Sequence, residues 1–179
     1  MSLPKLHRLF RHLLACLALL AAHGSPARAD DYVGYRRIGA WNRAKKTTPA
    51  GKRIEMMAVA AKETESDFFL IMCATAKTSL YVSLVTREPA LTVEEPLRLK
   101  VRYDFDETPS EFEMQKVLVD DQAVLRDEKK TDIDAMLSAI AKSRTMKITA
   151  GAMTRSYDLG GFAQAFEIVD TACRKSANP

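Results

Sequence analysis

Beyond position 29 the chain has no histidine; His7, His12 and His23 are the only three among 179 residues. That excludes Ser-His-Asp and Cys-His nucleophile arrangements, and histidine zinc sites, from residues 30–179. Cysteine is almost as scarce. Cys16, Cys73 and Cys173 are the full set, and no C-x-x-C redox spacing occurs. Neither G-x-x-x-x-G-K-[ST] nor G-x-G-x-x-G is present. Gly160-Gly161 lacks that spacing and reads as helix-start geometry. No apolar run reaches the 18 or so residues that a membrane helix needs. An excess of one charge sign is missing too. Lys5, Arg8, Arg11 and Arg28 lie in the first 29 residues with no acid; the other 23 of the 27 Lys and Arg balance 23 Asp and Glu. The formal charge of +4 therefore belongs to the leader. A neutral remainder lacks the clustered cations that displace counterions from nucleic acid.

What is present begins with that leader. Lys5, Arg8 and Arg11 form a positive start, and Leu13 to Ala22 (LLACLALLAA) is an apolar run too short for a ~30 Å hydrocarbon core. Ala27-Arg28-Ala29 supplies small residues at −3 and −1. The pattern predicts a secretory signal over residues 1–29, cut after Ala29, with Asp30 first in the mature protein. A retained anchor and a lipid-modified Cys16 are the alternatives. Residues 30–179 then form a single globular periplasmic domain, with no stable membrane insertion. In an oxidising compartment Cys73 and Cys173 are expected to form a disulfide; the alternative is two buried thiols acting as small apolar groups.

Periodicity favours strands. Tyr32 to Lys45, Ile54 to Ala61, Asp67 to Ala74 and Ser79 to Thr86 are short apolar or alternating runs separated by polar turns. Arg87 to Pro96 reads as a loop. Leu97 to Phe105 alternates cleanly, with Arg98, Lys100, Arg102 and Asp104 on one wet side, as in antiparallel sheets. Thr108-Pro109-Ser110 reads as a turn, and Lys116 to Val119 and Ala123 to Leu125 as short strands joined by Asp120-Asp121-Gln122. Thr131 to Lys142 places Ile133, Met136, Leu137 and Ile140 on one helical stripe, and Thr131-x-x-Asp134 resembles a capping box. Thr145 to Thr149 and Met153 to Leu159 form a hairpin. Phe162, Phe166, Val169 and Cys173 then mark the buried face of a closing helix. The predicted fold is mainly β (α+β): an antiparallel β-sandwich-like domain with two helices, the last C-terminal.

Few groups are candidates for chemistry. Asp104 and Asp106, with Glu107 beside them, share a face in an extended segment and could serve as paired carboxylates or as a weak calcium site; a solvated strand end is the blander reading. Met56, Met57 and Met72 could suit Cu(I), but neighbours on a strand point to opposite faces, which favours core filling. Trp41 with Tyr32 and Tyr35 is either an aromatic patch or a Trp at the edge of the core. Arg43, Lys45, Lys46, Lys52 and Arg53 read as a solvated loop first and an anion-binding loop second.

The order of features resembles a known family. The early Trp strand, the Phe-Phe-Leu-Ile-Met-Cys strand, the strand ending at Asp104, the helix Ile133 to Ile140 and the segment Tyr157-Asp158-Leu159-Gly160-Gly161-Phe162 are similar to the invasion-associated locus B family of periplasmic proteins. In that family a Leu-x-Gly-Phe-x-x-Ala segment opens the last helix; here it is Leu159, Gly161, Phe162 and Ala165. The chain also looks like the accessory periplasmic protein of type VI secretion, whose closing helix is followed by a cysteine, as with Cys173. It departs from the first family in lacking a middle cysteine pair over residues 112–128. Neither resemblance implies a catalytic residue, a cofactor or a metal. The expected function is a non-enzymatic periplasmic module that binds another envelope protein, with oligomeric state open. The alternatives are a small-ligand or lipid carrier, with an apolar cavity between sheet and helices, and a hydrolase using Asp104 and Asp106.

Overall fold

A computed structural model describes residues 32–47, 53–74, 80–92, 97–106, 108–119, 122–127 and 129–175. The leader, its cleavage at Ala29, Cys16, Lys52, Glu107 and Asp120-Asp121 lie outside the described residues.

Two-residue alternation and turn chemistry set ten strands among the described residues. They are β1 (Tyr32–Ile38), β2 (Trp41–Thr47), β3 (Arg53–Ala60), β4 (Phe68–Ala74), β5 (Leu80–Thr86), β6 (Arg98–Phe105), β7 (Thr108–Val119), β8 (Gln122–Asp127), β9 (Thr145–Ala150) and β10 (Met153–Asp158). Helix α1 (Lys130–Ile140) stands between β8 and β9, and α2 (Phe162–Lys175) follows β10. All strand pairs are antiparallel, in one sheet of order β1-β2-β3-β4-β5-β8-β7-β6-β9-β10. Among the described residues the fold is thus mainly antiparallel β with two helices, the second C-terminal, as expected.

The sheet curls until its far end meets its middle. Lys62 donates its backbone N–H to the Ser156 carbonyl at 2.8 Å, and the Glu63 carboxylate accepts the Ser156 N–H at 2.9 Å. Across the enclosed space the Phe69 ring of β4 sits 6.3 Å from Trp41, 6.4 Å from Tyr103 and 6.3 Å from Tyr157, centroid to centroid. The facing layers of a sandwich are therefore made by one continuous ladder bent back on itself. All four rings are fully buried, and truncating one such ring to Ala typically costs about 3–5 kcal/mol.

Strands β3 and β4 are apolar on both faces. Met57, Val59, Phe69, Ile71 and Cys73 point into the inner cluster, which also holds the buried stripes of α1 and α2. Met56, Ala58, Phe68, Leu70 and Met72 form a second cluster on the outer face.

Four expectations change. The single strand over Tyr32 to Lys45 is a hairpin, split at Gly39-Ala40, where Gly39 takes φ +59°. The Thr108-Pro109-Ser110 turn is strand: β7 runs the full Thr108–Val119, and the reversal falls just before it, at Asp106 with φ +43°. Pro109 is tolerated because β7 pairs there with β6 only; β8 engages it from Gln115 onward, so the missing N–H faces no second ladder. The capping box does not form. The residue before α1 is Lys129, without a side-chain cap, and Asp134 pairs with Lys130 instead. Arg43, Lys45 and Lys46 are in β2 rather than a loop. Arg43 and Lys45 reach Glu55 on the neighbouring strand at 2.9 and 3.5 Å, and Lys46 is buried.

Candidate binding groove at the disulfide

The closing helix is positioned by close packing of glycine on glycine. Gly161 has φ +86°, and a Cβ there would stand 2.8 Å from the Ile38 carbonyl oxygen; one on Gly39 would collide with the Gly160 carbonyl. Only glycine allows this approach. The Ala40 N–H donates to that same Gly160 carbonyl at 2.8 Å. Leu159 is buried, and its carbonyl accepts from the Trp41 indole N–H at 3.4 Å. Phe162 lies 5.5 Å from the Trp41 ring, and Ala165 is fully buried. So Leu159, Gly161, Phe162 and Ala165 are the joint that fixes α2 onto β1 and β2. Gly160-Gly161 is helix-start geometry, as read.

From that joint α2 runs along the inner cluster to Cys173, which is bonded to Cys73 of β4 with a Cα–Cα separation of 6.2 Å. The expected pairing is thus present, and it pins the far end of α2. Helix α1 packs Ile133, Met136, Leu137 and Ile140 inward beside it. Between the helices a groove of about 520 Å³ opens over the start of β5. Leu80, Leu137, Phe166 and Cys173 line it, with Lys130, Asp134, Asp170 and Arg174 around them. The charged residues form two pairs one helical turn apart, Lys130 with Asp134 and Arg174 with Asp170 at 2.9 Å. An apolar floor inside a polar rim is the composition of a protein-binding patch.

Asp104 and Asp106 do line one cleft, of about 590 Å³, with Lys62, Arg102, Thr145, Lys147 and Ser156. Their oxygens are engaged. Asp104 accepts from Arg102 at 2.8 Å, with Lys147 at 3.9 Å. Asp106 accepts from the backbone N–H groups of Arg144 and Thr145 and from the Thr145 hydroxyl, at 2.8–2.9 Å. The Arg144 N–H and then the Thr145 hydroxyl and N–H hold the Asp106 carboxyl below its ordinary value, the opposite of what a general acid needs. Trp41 is wholly buried, whereas Tyr35 is exposed and donates to Asn42 at 2.6 Å, so they share no surface patch. Met57 faces inward; Met56 and Met72 face outward, directly opposite each other on β3 and β4.

The sequence reading missed one polar network. Asp67, almost fully buried, accepts from Arg155 of β10 at 2.6 Å and from the Thr86 hydroxyl at 2.9 Å, and Arg155 also reaches Glu88 at 3.1 Å. This network closes the seam between β10 and the start of β4. The available signal was a lone acid opening the apolar run Phe68 to Cys73.

The architecture defines a class: a curled antiparallel sheet crosslinked to a C-terminal helix. It is similar to the crystal structure of invasion associated protein b from Bartonella henselae, with a TM-score of 0.54 and 13% identity, covering 80% of this chain and 99% of that one. At that identity the likeness concerns the fold. No family model matches the sequence, and no curated protein matches it.

Proposed function

We propose that this chain is a non-enzymatic accessory module of the cell envelope, exported and oxidised, which binds another envelope protein through the groove between α1 and α2. The groove carries the proposal: an apolar floor of Leu80, Leu137 and Phe166, held between two helices and anchored at Cys73–Cys173. A preorganised surface loses little entropy on binding. The disulfide suits an oxidising compartment. Among the described residues no helix is long and apolar enough to cross a membrane. The invasion associated protein b likeness supports a virulence-related setting. A carrier is less well supported, because Trp41, Phe69, Tyr103 and Tyr157 fill the space between the curled sheet and α2. Catalysis is left out of the proposal because Asp104 and Asp106 are committed to Arg102 and to the Arg144–Thr145 backbone.

The test is a photo-crosslinking amino acid placed at Asp134 or at Arg174 in the envelope-located protein, with Lys100 on the wet side of β6 as control. The proposal expects one discrete adduct, shared by the two groove positions and absent at Lys100. Equal labelling at all three positions, or none at the groove, refutes it.

A further inference from the structure

Helices α1 and α2 run antiparallel. Leu159 donates its N–H to the Arg144 carbonyl at 3.0 Å, and Ile140 and Ala141 share a cleft with Phe162 and Ala163, so the end of α1 stands beside the start of α2. At about 1.5 Å per residue, Leu137 and Phe166 then lie about 5–6 Å from that shared end, Asp134 and Asp170 about 9–12 Å, and Lys130 and Arg174 about 15–18 Å. The described rim of the groove is therefore banded. Two cations face each other at one end, two acids one turn further in, and two apolar groups beyond them.

The helices alone do not call for this order. Lys130 is the first residue of α1, where the helix dipole opposes a cation, and lysine ahead of an acid is the weaker i,i+4 arrangement. An acid first would suit α1 better. It would also stand level with Arg174, with a base level with Asp170, and so tie the helices together across the groove. As built, each cation pairs along its own helix, Lys130 with Asp134 and Arg174 with Asp170. The Lys130 and Arg174 side chains are 85% and 80% exposed, so these pairs hold weakly and can be exchanged for a partner's.

We infer that the groove accepts a helix of the partner with an acid, a base and a large apolar residue on successive turns of one face, at i, i+4 and i+7. The acid lies between Lys130 and Arg174, the base between Asp134 and Asp170, and the apolar group on Leu137 and Phe166. This rests on the groove reading proposed above and adds the chemistry of the occupant. A helix fits better than an added strand, because β5 beneath the groove is already bonded to β4 and, from Val82 onward, to β8. Each charge of such a helix meets two opposite charges in its own band. Order along the groove, and not net charge, then decides recognition.

Stapled helical peptides of one composition test this. One carries Glu, Lys and Leu at i, i+4 and i+7; in the other the Glu and Lys are exchanged; each is made in both chain directions. By fluorescence anisotropy at low salt the oxidised protein should bind the better direction of the first about tenfold more tightly than either form of the second. Exchanging the charges on both helices (Lys130→Asp, Asp134→Lys, Asp170→Arg and Arg174→Asp) keeps each i,i+4 pair and the net charge, and should reverse the preference. Lys130→Gln with Arg174→Gln, which needs no rebuilt pair, should abolish it. Equal binding of the two peptides, binding of neither, or a preference that survives the exchange overturns the inference. A photo-crosslinking phenylalanine analogue at Phe166 in the envelope-located protein separates the two readings. An adduct undiminished in the exchanged variant overturns the charge order and leaves the groove as the interface. No adduct with the rim intact refutes the groove reading, and this inference with it.

Discussion

Reducing Cys73–Cys173 should cost this protein a large part of its stability while leaving the native contacts in place. The bond closes a loop of 100 residues, for which the chain-entropy relation gives about 4.7 kcal/mol at 25 °C. Domains of this size are stable by about 5–15 kcal/mol, so a third or more of the total is at stake. Cys73 is fully buried and Cys173 nearly so; as thiols both still fit the inner cluster as small apolar groups. The loss therefore falls on the unfolded state, which gains freedom. With a urea m-value of about 1–3 kcal/mol/M, the midpoint should fall by roughly 2 M, and m should rise because the uncrosslinked chain unfolds to a more open state. The assay is paired urea titration with and without a phosphine reductant, followed by Trp41 fluorescence. The paired Cys73→Ala and Cys173→Ala substitutions should track the reduced protein. A midpoint shift below about 0.3 M would refute the entropic argument. So would an unchanged m with hydrogen exchange accelerated only in α2, since the bond would then be acting on helix docking rather than on loop closure.

Three further outcomes follow from particular contacts. Arg155→Ala leaves Asp67 buried without its cation and should cost about 3 kcal/mol in a urea titration, whereas Arg155→Lys restores only part of it, because an ammonium cannot span Asp67 and Glu88 together; a loss under 1 kcal/mol in the Ala variant would contradict the seam. The Tyr157 hydroxyl is buried with no hydrogen-bond partner among the described residues, while Tyr103 donates to the Met114 sulfur at 2.9 Å. Tyr157→Phe should therefore be neutral or stabilising and Tyr103→Phe should lose about 1 kcal/mol, an order that thermal melts can reverse. Asp106 has a depressed native pKa, so its contribution is present above its ordinary value of 3.8 and disappears as pH falls through the lower native value. Asp106→Asn, which tolerates the positive φ, should flatten stability against pH below about pH 4; identical acid limbs would refute that role.

Legibility varied with the range of the determinant. Local periodicity was enough for β6, for the Ile133–Ile140 stripe of α1 and for the Phe162–Cys173 face of α2. The crosslink followed from cysteine count and the expectation of export. The β1–β2 hairpin was hidden because Gly39 turns the chain between two segments that both read as strand, and its reason lies 121 positions away, at Gly160. The length of β7 was hidden because a Pro normally argues against a strand, and its tolerance depends on which neighbour pairs at Pro109. Asp67 and Arg155 are 88 positions apart, and no local pattern links them.

The same limit applies to the groove. Its rim pairs, Lys130 with Asp134 and Asp170 with Arg174, are visible as i,i+4 spacings within single helices. Each alone is an ordinary solvated helix face worth about 0.3–0.5 kcal/mol. What makes them the rim of one groove is the placement of two helices, and two long-range constraints fix it: the Gly39–Gly161 contact at one end of α2 and the Cys73–Cys173 bond at the other. A change that loosens the glycine end should weaken the proposed partner binding without touching a groove residue. Gly161→Ala, which forces a Cβ against Ile38 at a positive φ, is the sharper case. It should reduce photo-crosslinking at Arg174 even in protein that remains folded and oxidised. Undiminished crosslinking there would mean that the groove is shaped by the disulfide alone.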